Sequence, residues 1–139
     1  MTTATIAPDR PASLLEPLRE PWAVQLKTRK RDGSWVATPV NLVVAGERAY
    51  FGTPANSGKV KRLRNFEAVE LAPCTPRGKP TGTAIAARAR RLDGEESATA
   101  RLHLLGKYPL VHRFLVPLEL RLKRTREVRY ELDEFAPLD

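Results

Sequence analysis

From Trp22 the chain alternates. Trp22, Val24, Leu26 and Thr28 fall on one side, Ala23, Gln25 and Lys27 on the other, which is the period-two pattern of a half-buried β-strand. Arg31-Asp32-Gly33-Ser34 ends that strand as a hairpin turn, because Asp-Gly supplies the positive-φ position such turns require. A second strand is predicted over residues 35–44, interrupted by Pro39, whose missing N–H restricts that point to a sheet edge or a bulge. After the 45–48 turn a short run, residues 49–53, completes the opening of a β-meander.

The period then lengthens. Val60, Leu63 and Phe66 recur every three residues behind Asn56 and Ser57, both competent N-caps, which predicts a helix over 57–65. A strand over 68–73 follows, then the 75–80 turn and a long alternating segment, 81–91, with Thr83, Ile85, Ala87 and Ala89 on one face. Asp93-Gly94 breaks the chain before a predicted helix over 95–107, with Ala98, Leu102 and Leu105 at core spacing. Val111, Phe114, Leu115, Leu118 and Leu122 continue a helical pattern that Pro117 must kink or end. Val128, Tyr130 and Leu132 alternate with charged residues as a final strand, and no internal repeat is visible. At the other end, Pro8, Pro11 and Pro17 among small and polar residues predict an extended arm, with at most one helical turn at Ser13-Leu14-Leu15.

About six strands against two or three helices, joined by hairpins without regular βαβ alternation, predict a mainly β fold with appended helices, an antiparallel barrel. The expected organisation is an N-terminal arm (1–20), one barrel domain (21–134) and a short C-terminal tail (135–139). The 139 residues suit one domain whose small core pairing with a second copy would help. No dinucleotide-binding glycine fingerprint and no nucleotide-hydrolase phosphate loop is present. The single cysteine excludes an intrachain disulfide, and neither a signal peptide nor a long apolar run is seen, so a soluble, cytoplasmic protein without a membrane partner is expected. The net charge of +8 directs attention to polyanions: nucleic acid, anionic lipid or a phosphorylated cofactor.

The run Ser57-Gly58-Lys59-Val60-Lys61-Arg62-Leu63-Arg64 combines a helix start with clustered cations. The free N–H groups of the first turn and the helix dipole favour an anion, and the Ser57 hydroxyl adds a donor. Lys59 and Arg62, three residues apart, leave the helix on one side, while Val60 and Leu63 mark the buried side. The residues by themselves leave three occupants open for this basic face: a phosphate, a nucleic-acid backbone, or solvent.

The order of the Gly33-Ser34 turn, the Ala37-Thr38-Pro39-Val40 strand, the Tyr50-Phe51-Gly52-Thr53 strand, the Ser57 to Asn65 helix, the Val69-Glu70-Leu71-Ala72 strand and then Arg77-Gly78 and Gly82 resembles the pyridoxamine-phosphate-oxidase-like, FMN-binding split-barrel family, and most of all its branch of F420-dependent oxidoreductases. The resemblance spans roughly 21–132, and its most specific part is Gly-Lys-Val-Lys-Arg-Leu-Arg-Asn followed by Cys74-Thr75-Pro76-Arg77-Gly78. It implies a six-stranded antiparallel split β-barrel, with the cofactor phosphate held by Thr53, Ser57, Lys59 and Arg62 and the cofactor ring lying along Thr38, Pro39 and Val40. It also implies a homodimer with the ring pocket between subunits. Two positions depart from the pattern: Asn41 stands where many relatives have an aromatic residue, and Gly58 where the oxidases proper have arginine. The second departure, together with Lys61, Arg62 and Arg64, favours the longer anionic tail of coenzyme F420 over FMN.

Other residues carry less. Cys74 has no histidine nearby in sequence and reads as a packed side chain rather than a nucleophile. His103 and His112 with one cysteine make a poor metal set, so no metal is expected. Tyr108 and Trp22 read as core aromatics before ring-pocket residues, and the basic cluster Arg121, Lys123, Arg124, Arg126 and Arg129 as a solvated face. No paired carboxylates or nucleophilic triad can be placed, and catalytic residues are not identified. The functional expectation is an F420-dependent oxidoreductase that passes hydride to a small organic acceptor. The alternatives are an FMN flavoprotein, or a non-catalytic barrel that binds flavin, haem or nucleic acid, the last disfavoured by an aromatic content of 6%.

Overall fold

The computed structural model describes residues 11–138, so the first half of the expected 1–20 arm, residues 1–10, and Asp139 lie outside the described residues. Seven strands and four helices follow in the order α1 (Pro11–Arg19), β1 (Ala23–Arg29), β2 (Trp35–Val40), β3 (Val43–Ala45), β4 (Arg48–Pro54), α2 (Gly58–Asn65), β5 (Ala68–Cys74), β6 (Ile85–Leu92), α3 (Gly94–Lys107), a π-helical turn (Val111–Leu115), α4 (Val116–Leu122) and β7 (Glu127–Pro137). The fold is mainly β with appended helices, with seven strands where six were expected.

All strands belong to one antiparallel sheet in the order β2-β1-β5-β6-β7-β4-β3. β2 and β3 lie at opposite edges, yet only Asn41 and Leu42 separate them in the chain. In a flat sheet those edges would stand six strand spacings apart, roughly 29 Å. The three Cα steps from Val40 to Val43 reach at most about 11 Å. The sheet is therefore rolled upon itself, and the two edges meet at a seam they do not stitch with ladder bonds. This is the split of a split barrel, and it explains why the expected 35–44 strand is two strands. Pro39 stands on the edge strand, where its missing N–H costs no ladder bond.

The interior is filled by the alternating residues of the strands: Val24 and Leu26 of β1, Phe51 of β4, Val69 and Leu71 of β5, Ile85, Ala87 and Ala89 of β6, and Val128, Tyr130 and Leu132 of β7. Phe51 and Tyr130 stack with centroids 5.2 Å apart. Part of the expected arm is an ordered helix: in α1, Leu15 and Leu18 are fully buried in this core, and Pro17 is accommodated inside it. The apolar pair outweighs the propensity of a proline-rich segment. β7 runs past the expected end of the domain, and Phe135 is buried with the core.

On the outer face, α3 packs through Ala100 and Leu104, not through the expected Ala98 and Leu102; Leu102 is largely exposed. The helix begins one residue early and is rotated so that Leu104 and Tyr108 meet Val43. Pro117 does not end the helical segment: it falls in the first turn of α4, directly after the π-helical turn, where Val116 N donates to Val111 O, five residues back. Tyr108 then pins the seam. Its hydroxyl donates to Trp22 O (2.8 Å) and meets Leu42 through both N (3.3 Å) and O (3.2 Å), while Lys107 Nζ donates to Leu42 O (2.7 Å). Burial pushes the Tyr108 phenol up to about 12, so it keeps its proton and its role as a donor at physiological pH. Among the described residues no helix is long and apolar enough to cross a membrane.

Candidate cofactor cleft

The seam opens into a cleft of about 500 Å³. Pro39, Val40 and Asn41, Gly52, Thr53 and Pro54 of β4, and Asn56, Ser57 and Lys59 at its basic end line it, together with Glu119 of α4 and Lys123 just after that helix. The chain reaches α2 by a tight turn in which Ser57 N donates to Pro54 O (3.0 Å) and Ala55 N to Arg126 O (2.8 Å). Val60 and Leu63, both buried, hold the helix against the barrel and aim its N-terminus at the cleft. Ser57 has the extended backbone of an N-cap, but its hydroxyl pairs with Thr53 Oγ1 at 3.0 Å instead of capping the helix. The first-turn N–H groups thus lack a side-chain cap and lie beside two hydroxyls, an arrangement that favours an anion.

Cations converge on the same place. Lys59 is half-buried, and burial, then Arg62, then Lys123 push its amine below the usual lysine range, with Glu119 opposing weakly. Arg62 folds back along its own helix. Its Nε donates to the buried Thr28 Oγ1 at 2.6 Å, and its guanidinium lies over Gly58, where a Cβ would sit 2.6 Å from Nη1. The missing side chain at position 58 is therefore the space that the Arg62 fork occupies. Gly58→Ala should displace that fork while leaving the fold intact. We expect FMN affinity, read by fluorescence titration, to fall about tenfold, as for loss of one charge-assisted contact. Unchanged affinity would remove Arg62 from the site.

Five of the seven expected residues, Pro39, Val40, Thr53, Ser57 and Lys59, meet in this cleft. Arg62 reaches the helix start from one turn along, through Thr28. Thr38 does not line the cleft; its side chain alternates with that of Pro39, and its Oγ1 is enclosed without a hydrogen-bond partner. Sequence reasoning missed Glu119, Gly52 and Thr28, and placed Lys123 on a solvated face. Only the Lys123–Glu119 spacing, four residues on one helix side and now a 3.0 Å ion pair, was a usable signal. Arg129 of the same expected face is half-buried and ties β7 to α3 through Ser97 Oγ (2.9 Å).

Behind Gly52 lies a second buried group. Glu127 packs its carboxylate against Gly52, 2.9 Å from Arg129 Nε and 4.0 Å from His112 Nδ1. Burial lifts the Glu127 carboxyl above its usual range despite Arg129. Burial, with Arg129 and Arg101, holds His112 below the usual histidine range, so it is neutral near pH 7. Cys74 is buried and its thiol is pushed up, which removes the thiolate a nucleophile requires.

No protein-family model and no curated protein sequence matches this chain. Solved structures do match, each under 25% identical, and they show the fold: this chain has the split-barrel fold of pyridoxamine-phosphate-oxidase-like proteins. One match is a haem-binding protein from Mycobacterium smegmatis (14% identity, TM-score 0.64, 92% of this chain, which spans 52% of that protein's length). Another is a candidate pyridoxamine 5'-phosphate oxidase from Listeria innocua (11% identity, TM-score 0.57, covering 88% of this chain and 90% of that one). A third is an F420 reductase (16% identity, TM-score 0.54, covering 90% and 93%).

Proposed function

We propose that this chain is a flavin-type oxidoreductase that uses coenzyme F420, with FMN as the second choice, and passes hydride to a small organic acceptor. The observation that carries the reading is the convergence of Lys59, Arg62 and Lys123, balanced by Glu119 alone, on the uncapped start of α2. Cations held this close repel one another unless an anion joins them, and a cofactor phosphate has the charge and size to do so. Lys59, Arg62, Ser57 and Thr53 hold the phosphate, and the Pro39–Val40 edge supports the ring. When bound, the reduced cofactor supplies the hydride. Phosphate binding pushes the Lys59 amine back up toward the usual lysine range, because the added negative charge offsets the burial and the two cations that depress it.

The preference for F420 is supported by Lys61 and Arg64, exposed cations farther around α2 that form no ion pair among the described residues. The haem alternative gains little from the cleft, since neither histidine lines it. The decisive experiment is titration of the purified chain with F420 and with FMN, followed by turnover assays with the reduced form that binds. Failure of both cofactors to bind would end the reading.

The functional unit we propose is a homodimer, as the resemblance implies. Leu110, Phe114, Leu118 and Leu122 recur along the π-turn and α4 as exposed apolar side chains. Glu119 and Lys123 of the same segment line the cleft, so a second copy seated there would also close the cleft. Light scattering should give twice the chain mass for the wild type and the monomer mass for Leu118→Glu.

A further inference from the structure

The segment that borders the cleft beside α2 is held to the barrel by very little. The π-helical turn and α4 carry Glu119 and, just beyond, Lys123 to the basic end of the cleft, yet α4 itself has no buried side chain. Among the described residues of 111–122, His112 alone is buried, with Val111 half-buried against Val43, Leu104 and Tyr108. The backbone of His112 is fixed by its N–H, which donates to Tyr108 O at 3.0 Å. A single π-helical turn of this kind is frequent at functional sites. His112 is thus the peg on which α4 hangs.

The peg is titratable and sits among charges. From β7, Glu127 Oε2 lies 4.0 Å from His112 Nδ1, and Glu127 Oε1 lies 2.9 Å from Arg129 Nε. α3 adds Arg101, α4 adds Glu119 on the side of Glu127, and the Tyr108 ring stands tilted with its centroid 6.0 Å from that of His112. β4 offers Glu127 only Gly52, which has no side chain. Two guanidiniums and one buried carboxylate therefore surround the imidazole, so a proton on it adds a third positive charge where one buried anion is present.

Burial, then Arg129, then Arg101 hold His112 below the usual histidine range. Once released into water the ring returns to its ordinary value of about 6.5. The docked state thus binds this proton less firmly than the released one, and a fall in pH through about 6.5 favours release. Glu127 acts in the opposite sense: burial raises its carboxyl, so the docked state takes up that proton more readily and the loss levels off at lower pH.

We propose that His112 is the positioning residue of the cofactor cleft: neutral, it seats α4 so that Glu119 and Lys123 border the phosphate, and protonated, it releases α4 and lets the cofactor leave. The consequence for the cofactor rests on the reading of the cleft given above, whereas the release of α4 does not.

Hydrogen exchange of the 111–122 amides, corrected for intrinsic rates, reads the release in the cofactor-free protein. Wild-type protection should fall by up to about tenfold between about pH 6.5 and 5.5, as one proton per release requires, while the β4–β7 ladder stays protected. His112→Phe keeps a ring in the socket and should hold constant protection across that range. His112→Gln, also neutral, should do the same from a lower level. A flat wild-type profile, or the wild-type pH dependence in either variant, would overturn the proposal. Leu118→Glu should retain the wild-type profile, and its loss there would assign the effect to subunit dissociation and overturn the proposal as well. In a second arm, the dissociation rate of FMN should rise about tenfold over the same pH step in the wild type relative to His112→Phe, the titration of the FMN phosphate being common to both. Equal rises would overturn the positioning role. Failure of FMN and F420 to bind at either pH would end the cofactor reading alone, because the exchange arm decides the release of α4 without a cofactor.

Discussion

Lys59→Met is expected to weaken binding of F420 or FMN by roughly 30- to 100-fold, the equivalent of about 2–3 kcal/mol for a charge-assisted contact to phosphate. The same change should raise the thermal midpoint of the cofactor-free protein by a few degrees. The two effects have one cause. Without a phosphate, Lys59 is a half-buried cation facing Arg62 and Lys123, with only Glu119 to offset them, and its lowered pKa records that the fold disfavours its charge. A lowered pKa on a base means that the folded state binds its proton less firmly than the unfolded chain does. Below the unfolded lysine pKa, and so at neutral pH, the charged amine costs stability. Methionine keeps the stem and removes the cost. With phosphate bound, the same cation becomes the strongest contact. Titration calorimetry and a melting curve, each with and without FMN, test the pair of effects. Equal cofactor affinity in the variant, or a melting point that falls, would show that Lys59 is paired by something other than a ligand phosphate.

The second large effect is structural and comes from a residue with no side chain. Gly52→Ala should destabilise the fold by about 2–4 kcal/mol, as overpacking against a buried charge does. A Cβ at position 52 would sit 2.6 Å from Glu127 Cδ and closer still to Oε2. The carboxylate cannot swing into water, because Glu127 has only 7% of its side chain accessible and lies between Arg129 and His112. Gly52 has no left-handed backbone, so space, not φ, is the requirement. The double variant Gly52→Ala/Glu127→Ala should then be less destabilised than the sum of the two single changes, since Glu127→Ala removes the atoms that the new Cβ meets and that Cβ fills part of the space they leave. Urea unfolding of the four proteins measures this. A neutral Gly52→Ala, or strictly additive losses, would show that Glu127 has room to move.

The basic end of the cleft was legible in the chain because its signals are local. A hydroxyl residue before an apolar three-residue period marks a helix start, and the spacing of Lys59 and Arg62 puts both on one side whatever the barrel does. Gly58 could be noted as lacking a side chain, but that it makes room for the fork of Arg62 follows from a fold-back anchored by Thr28, thirty-four residues away. The face of α3 was misjudged for a related reason. Leu102 and Leu104 are both plausible core residues on a mostly polar helix, and which is buried depends on where Tyr108 and Val43 meet.

What the amino-acid order determined by itself is therefore the strands of the first half of the chain, with β2 and β3 run together as one, the hairpin at Asp32-Gly33, the edge character imposed by Pro39, and the basic helix start. Each is written in contacts a few residues long, through backbone dihedral limits, side-chain periodicity and capping. Only the tertiary structure decided that β2 and β3 are opposite edges of one rolled sheet. It also brought Glu119 and Lys123 across the cleft, buried α1 and drew Trp22 out of the core. Those depend on the two-residue link at Asn41-Leu42 and on the Tyr108 contacts that close the seam, pairings across 66 and 86 residues that no local pattern can announce.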